Sequence, residues 1–181
     1  MSPVRALRYL YLAYFSAPRH DRLLYRHARN HRVQRILELG LGSTERACRL
    51  IELATRASGQ RVSYTGIDLF ELRGEQTAGV SLKLAHRRLA ATGARVRLVP
   101  GDPHSALAAV ANSLVATDLV IVSADQDRPA LEKAWFYLPR VLSPAAVVFV
   151  EEPVAGGILL RQMPADELAR LAASPGRRRA A

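Results

Sequence analysis

The chain has little of what staples or anchors small secreted and membrane proteins. Cys48 is its only cysteine in 181 residues, so neither an intrachain disulfide nor a cysteine zinc cluster can form. Cys48 falls within a helical pattern and reads as a small buried hydrophobe, and a reducing cytoplasm is the expected compartment. No apolar run approaches the ~20 residues a membrane-spanning helix requires. The opening MSPVRALRYLYLAYFSAPRH is interrupted by Arg8 and three tyrosines and lacks a small-residue cleavage site, which argues against a signal peptide. Lysine is almost missing, with Lys83 and Lys133 the only two. No phosphate loop ending in Gly-Lys-Ser/Thr occurs, which argues against a nucleoside triphosphatase. No Gly-x-Ser-x-Gly elbow occurs either, so a serine hydrolase would lack its nucleophile turn.

Apolar residues make up 49% of the chain, enough for one ordinary globular domain with a substantial core. The net charge is +10, and 24 of the 26 basic residues are arginine. Such a surplus could attract nucleic acid, anionic lipid or an acidic substrate. The arginines are dispersed, however, with Arg177, Arg178 and Arg179 the only run. That pattern favours an arginine-rich codon preference over a dedicated polyanion surface.

Helical and strand-like segments alternate. Residues 4–30 read as one or two helices, with Leu7, Leu10, Tyr11 and Tyr14 in an apolar stripe and Pro18 as a break. Strands are expected at 35–39, 62–68, 96–101, 118–124 and 146–152. Helices are expected over 44–57, 77–91, 104–115, 129–142 and 165–173, with Gly59 and Gly93 as stops and a bend near Pro139. The piece GILLRQM at 157–163 is short and apolar. Strands apolar on both faces and separated by helices imply an α/β fold, a doubly wound, mostly parallel sheet with helices on both faces. The division is an amino-terminal helical segment over 1–33 packed on the domain, a Rossmann-like domain over 34–173, and a flexible basic tail over 174–181.

RILELGLG at 35–42 runs an apolar strand into a glycine turn, and the next strand ends in Asp68. Glycine lets a ligand approach bare backbone, and an acidic side chain at the following strand end can grip the two hydroxyls of a ribose. Ser43, Thr44 and Glu45 follow the glycines, so the third glycine of a dinucleotide fingerprint is missing. Glu38, Gly40, Gly42, Asp68 and Asp102 all fall where a doubly wound sheet presents ligands, outside the carboxyl ends of its strands. For Asp102, followed by Pro103, capping of the next helix is an equal reading.

The series ELGLGS, GIDLF, LVPGDPHSAL, DLVIVSADQD and FVEE, in this order, resembles the class I S-adenosylmethionine-dependent methyltransferases. It is most similar to their small-molecule O-methyltransferase-like branch, over residues 34–163. The resemblance implies S-adenosylmethionine as cofactor. Glu38, Gly40 and Gly42 would lie beside its methionine part, Asp68 on its ribose hydroxyls and Asp102 near its adenine amino group. It also implies a Rossmann-like fold whose carboxyl-terminal hairpin is reduced, since about 30 residues remain after Glu151.

In this branch the turn after strand four commonly carries an acidic pair. Here Ser123 replaces the first aspartate and Gln126 stands where histidine is common. That departure weakens a divalent-metal mechanism, and no residue is assigned as a metal ligand. Asp125 is the candidate catalytic residue, as base or orienter of the acceptor. His104 beside the cofactor edge reads as a helix-start residue. The implied function is methyl transfer to a small, hydroxyl-bearing acceptor. The alternatives are a catalytically degenerate S-adenosylmethionine-binding protein and an RNA or DNA methyltransferase. The last lacks the prolyl-aromatic signature after strand four that amino-directed enzymes carry. The helices before strand one offer a homodimer contact.

Overall fold

The structure, a computed structural model, describes residues 3–73 and 79–174. Six strands form one sheet: β1 (Arg35–Leu39), β2 (Ser63–Asp68), β3 (Arg95–Pro100), β4 (Thr117–Val122), β5 (Leu142–Val154) and β6 (Gly157–Met163). Their spatial order is β3-β2-β1-β4-β5-β6; the first five run parallel and β6 is antiparallel to β5. Because successive residues of a strand point to opposite faces, the apolar runs feed two cores at once. Ile36, Leu119 and Ile121 enter one cluster; Leu37, Leu39, Val120 and Val122 enter the other.

Helices cover both faces. α1 (Pro3–Leu10), a π-helical turn over Tyr11–Phe15, α2 (Asp21–Asn30), α3 (Glu45–Ser58) and α4 (Leu82–Ala90) lie on the first. Leu24, Tyr25, Leu50, Ile51 and Leu89 from these elements pack with Ile36. α5 (Pro103–Val110), α6 (Arg128–Ala134), α7 (Leu138–Val141) and α8 (Ala165–Ala173) cover the second face through Leu107, Ala134, Leu138 and Leu168. Gly59 ends α3 in the left-handed conformation that stops helices, its N–H donating to the Thr55 carbonyl. Asp102 and Asp127 cap α5 and α6, each followed by a proline in the first turn. Among the described residues no helix is long and apolar enough to cross a membrane.

Several boundaries differ from the expected ones: α4 begins at Leu82 behind its Ser81 cap, β4 ends at Val122, and α5 ends at Val110. The helix expected over 129–142 stops at Ala134, passes through a tight turn over Trp135–Tyr137 and resumes as α7. Pro139 sits in the first turn of α7, where its missing N–H has no partner to lose. The apolar piece at 157–163 is a strand, paired with β5 from Val148–Met163 to Val154–Gly157. That pairing also lengthens β5 beyond residues 146–152 and makes the reduced hairpin a single antiparallel strand. Residues 77–78 of the expected fourth helix and residues 175–181 of the expected tail lie outside the described residues.

The sheet reverses direction of winding at β1, whose neighbours are β2 on one side and β4 on the other. Such a reversal opens a crevice beyond the carboxyl ends of the strands. The register pairs Leu39 with Ile67 and Val122, Asp68 with Pro100, and Val122 with Val150. Gly40, Asp68, Ser123 and Glu151 therefore follow one line across the sheet edge.

Gly40 (φ +88°) turns the chain out of β1, and a Cβ there would meet the Ser123 Cβ at 2.7 Å, Asp125 Oδ1 at 2.9 Å and the Gln126 amide. Gly42 (φ +55°) would offer a Cβ open space, with no atom within 4 Å, and is needed only for its backbone conformation. Gly40→Ala is expected to cost roughly 2–5 kcal/mol, from left-handed strain and overpacking together. Gly42→Ala should cost about 1–2 kcal/mol, from strain alone. Urea unfolding of the two variants against the wild type checks the ranking; equal midpoints would contradict it.

Candidate functional site

A pocket of about 350 Å³ opens at this edge, walled by the glycine turn and the start of α3, the turn after β4, Glu151 of β5, and the segment leading into α2. Its floor is held by Arg46, in the first turn of α3. A cation there opposes the helix dipole, which favours negative charge at an amino end. The carboxylates around it explain its presence. Arg46 Nε and Nη2 donate to Glu38 Oε1 at 2.8 and 2.6 Å, Nη2 donates to Ser123 Oγ at 3.0 Å, and Nη1 donates to Glu151 Oε1. Asp21 Oδ1 lies 3.6 Å from Nη1. Against the cost of burial, Glu38, Glu151 and Asp21 tighten the hold of Arg46 on its proton.

Glu38 is wholly buried in β1 and accepts a second bond, on Oε2, from the Tyr64 hydroxyl of β2. Burial pushes its carboxyl upward, against the pull of Arg46 and Tyr64. It does not line the pocket; it reaches the pocket through Arg46. Ser123, where the resembled branch has aspartate, accepts from Arg46 and donates to the Gly40 carbonyl at 3.1 Å. The glycine turn is thus tied to β4 by Ser123 and to β2 by the bond from the Gly40 N–H to the Ile67 carbonyl, 2.8 Å.

Asp68 ends β2. Its Oδ2 accepts the Leu41 N–H at 2.7 Å, so the carboxylate is fastened to the glycine turn itself, and Oδ1 accepts the Phe70 N–H at 2.9 Å. Arg73 fills the remaining positions, Nε on Oδ1 at 3.0 Å and Nη2 on Oδ2 at 2.6 Å, and reaches Asp125 Oδ2 at 3.1 Å. Against the upward push of burial, Arg73 and the two backbone amides hold Asp68 below the usual carboxylate range.

The other expected residues are more peripheral. Asp102 Oδ1 accepts the His104 and Ser105 amides, so the side chain serves as the cap of α5. Asp125 stands half-exposed on the pocket rim, bonded to Arg73 and Gln126. His104 packs beside Tyr137 and lies outside the pocket wall. Arg46, Arg73, Tyr64, His20 and Asp21 belong to the site and form no motif in the sequence. The one local signal was Arg46, a cation in the first turn of a helix that follows a buried glutamate.

No protein-family model matches the chain, and no curated protein matches it. Solved structures do. The O-methyltransferase TomG of Streptomyces achromogenes, in complex with S-adenosylmethionine, superposes with a TM-score of 0.54 at 20% identity over 80% of this chain and 63% of its own. A TehB-like S-adenosylmethionine-dependent methyltransferase of Corynebacterium glutamicum gives 0.53 at 16% identity over 94% and 78%. The methyltransferase PaMTH1 of Podospora anserina, bound to S-adenosylhomocysteine, gives 0.51 at 14% identity over 83% and 62%. The chain thus spans less than two thirds of the length of TomG and PaMTH1. Its fold is the Rossmann-like fold of the class I methyltransferases.

Arg46→Met removes the cation while keeping the aliphatic volume. It is expected to cost about 3–5 kcal/mol, because Glu38 is left buried and short of its main partner. Adding Glu38→Gln should return part of that loss. Urea midpoints of the single and double variants test the coupling; additive losses would show that the pair is not energetically linked.

Proposed function

We propose that the protein is an S-adenosylmethionine-dependent methyltransferase acting on a small, hydroxyl-bearing acceptor. The observation that carries this reading is Asp68. Its carboxylate is anchored to the glycine turn by the Leu41 amide, and it takes two donors side by side from Arg73. The adjacent hydroxyls of a ribose are another such pair of donors. Gly40 lets the turn pack closely against the residues after β4, and the open backbone at Gly42, which lines the pocket, gives the methionine part of the cofactor close access to the chain. Asp102, the cap of α5, is the residue we assign to the adenine amino group.

The cofactor supplies a methyl group on a sulfonium. The acceptor oxygen forms its bond to that carbon as the carbon–sulfur bond breaks, leaving a neutral thioether. The chain's task is to align the acceptor and to receive its proton. Asp125, on the pocket rim between Arg73 and Gln126, is the residue we assign to that task. A single half-buried thiol, Cys48, suits a cytoplasmic protein.

Arg73 competes with the ribose for Asp68, so the binding-competent state is only a fraction of the free protein. Calorimetry with S-adenosylhomocysteine should show binding lost on Asp68→Ala and tightened roughly 3–30-fold on Arg73→Ala, the gain from removing that competitor. Absence of binding by both wild type and Arg73→Ala would overturn the cofactor assignment. Binding without methyl transfer to any of a panel of phenols and alcohols would instead favour the catalytically degenerate reading, to which the serine at position 123 points.

We also assign a homodimer contact to the amino-terminal helices. Tyr9 and Tyr25 are buried, but Leu7, Leu10, Tyr11, Tyr14 and Phe15 remain exposed, Leu7 and Phe15 by 70% and 71%. Sedimentation equilibrium is expected to give a dimer, and Phe15→Glu a monomer. A monomeric wild type at high concentration would remove the assignment.

A further inference from the structure

One part of the pocket wall is left without a task by the cofactor assignment. Asp21, the first residue of α2, is 3% exposed, and its Oδ1 has no hydrogen-bond partner among the described residues. Its closest charged neighbours are Arg46 Nη1 at 3.6 Å and His20 Nε2 at 3.7 Å, both beyond hydrogen-bonding distance. His20 Nε2 also lies 3.6 Å from Glu151 Oε1. The three atoms fall within 4.8 Å of one another, and all three residues line the pocket.

We propose that His20, Asp21 and Glu151 form a binding site for a first-row divalent metal ion of the Zn²⁺ or Mn²⁺ kind. Donors about 2.1 Å from a shared tetrahedral centre stand about 3.4 Å apart. The two His20 edges, at 3.6 and 3.7 Å, require only a small contraction, and the Asp21–Glu151 edge closes from at most 4.8 Å. An imidazole with two carboxylates suits such ions, whereas Mg²⁺ prefers oxygen alone.

Charge balance points the same way. With all three ionised, Asp21, Glu38 and Glu151 surround one guanidinium, Arg46, and leave two negative charges in a buried cluster. A divalent ion cancels them and gives the orphaned Asp21 oxygen a partner. Arg46 keeps Glu38 and Ser123 and shares Glu151, whose second oxygen already accepts the Ala124 N–H at 3.1 Å. The donors come from the start of α2 and the end of β5, and none comes from the turn after β4, where Ser123 has no carboxylate to offer.

The test uses the full chain, freed of metal by chelation and held without any nucleoside, so that its failure would leave the cofactor assignment standing. Mn²⁺ is titrated with the free-ion signal followed by electron paramagnetic resonance, and Zn²⁺ by calorimetry. One ion per chain is expected, with binding weakened at least about tenfold by His20→Ala or Asp21→Asn, as loss of a metal-site partner produces. Glu152→Gln, beside the site but paired with Arg161, should bind as the wild type does. Melting curves of metal-free variants verify that they fold, and Zn²⁺ should raise Tm in the wild type and not in folded His20→Ala. A wild type that binds no ion, or a His20→Ala/Asp21→Asn double variant that binds equally well, overturns the proposal.

Discussion

One guanidinium holds the functional edge of this molecule together. Arg46 sits in the first turn of α3, yet its hydrogen-bond partners lie on β1, in the turn after β4 and at the end of β5. Each partner, taken alone, would be a liability. Glu38 would be a bare charge in the middle of a parallel sheet, and Glu151 a second one two strands away. Burying an unpaired carboxylate costs several kcal/mol, so the sheet edge exists in this form only while Arg46 is in place. The glycine turn depends on the same contact at one remove, since Ser123 links Arg46 to the Gly40 carbonyl.

This arrangement also bears on the chemistry. In the resembled branch the turn after strand four supplies carboxylate to the site; here that position is a serine engaged by a fixed cation. Arg46 therefore commits its hydrogen bonds to Glu38, Ser123 and Glu151 and meets Asp21 only as an ion pair, at 3.6 Å and without a hydrogen bond. The excess negative charge falls at the pocket wall instead of beneath it. A site of this kind favours cationic groups.

The architecture was legible because it rests on local patterns. Apolar strands ending in Gly40, Asp68 and Gly101, with helices between them, can be read without knowing any contact, since period and turn chemistry are properties of neighbouring residues. α8 was legible for the same reason. GILLRQM was not recognised as a strand because its only pairing is to one neighbour, β5, and its outward residues blur the alternation. In the site, Gly40, Asp68 and Asp102 were located by position, but their present partners were not. Arg46 lies 105 residues from Glu151, and Arg73 reaches Asp125 across 52. Such pairings are fixed by sheet register, which decides that residues 40, 68, 123 and 151 share one edge. The double role of Asp102 stayed open because Asp-Pro signals a helix start whether or not the other oxygen binds a ligand.

Arg46 and Arg73 look alike, each with a side chain 12% exposed and two hydrogen-bonded carboxylate partners, but their surroundings give them opposite roles. Withdrawing Arg46 leaves Glu38 with only Tyr64, in a place water cannot reach. Withdrawing Arg73 leaves Asp68 still holding the Leu41 and Phe70 amides, and Asp125 is half in solvent and can be hydrated. The first displacement orphans a buried charge; the second opens two acceptor positions on a carboxylate that stays otherwise satisfied. Arg46 is therefore a fixed part of the fold, and Arg73 is the contact that a ligand bearing two adjacent donors can replace. The same comparison separates the two acids: Asp68 has backbone amides to keep it in place when its arginine leaves, and Glu38, two residues before the glycine turn, has only Tyr64.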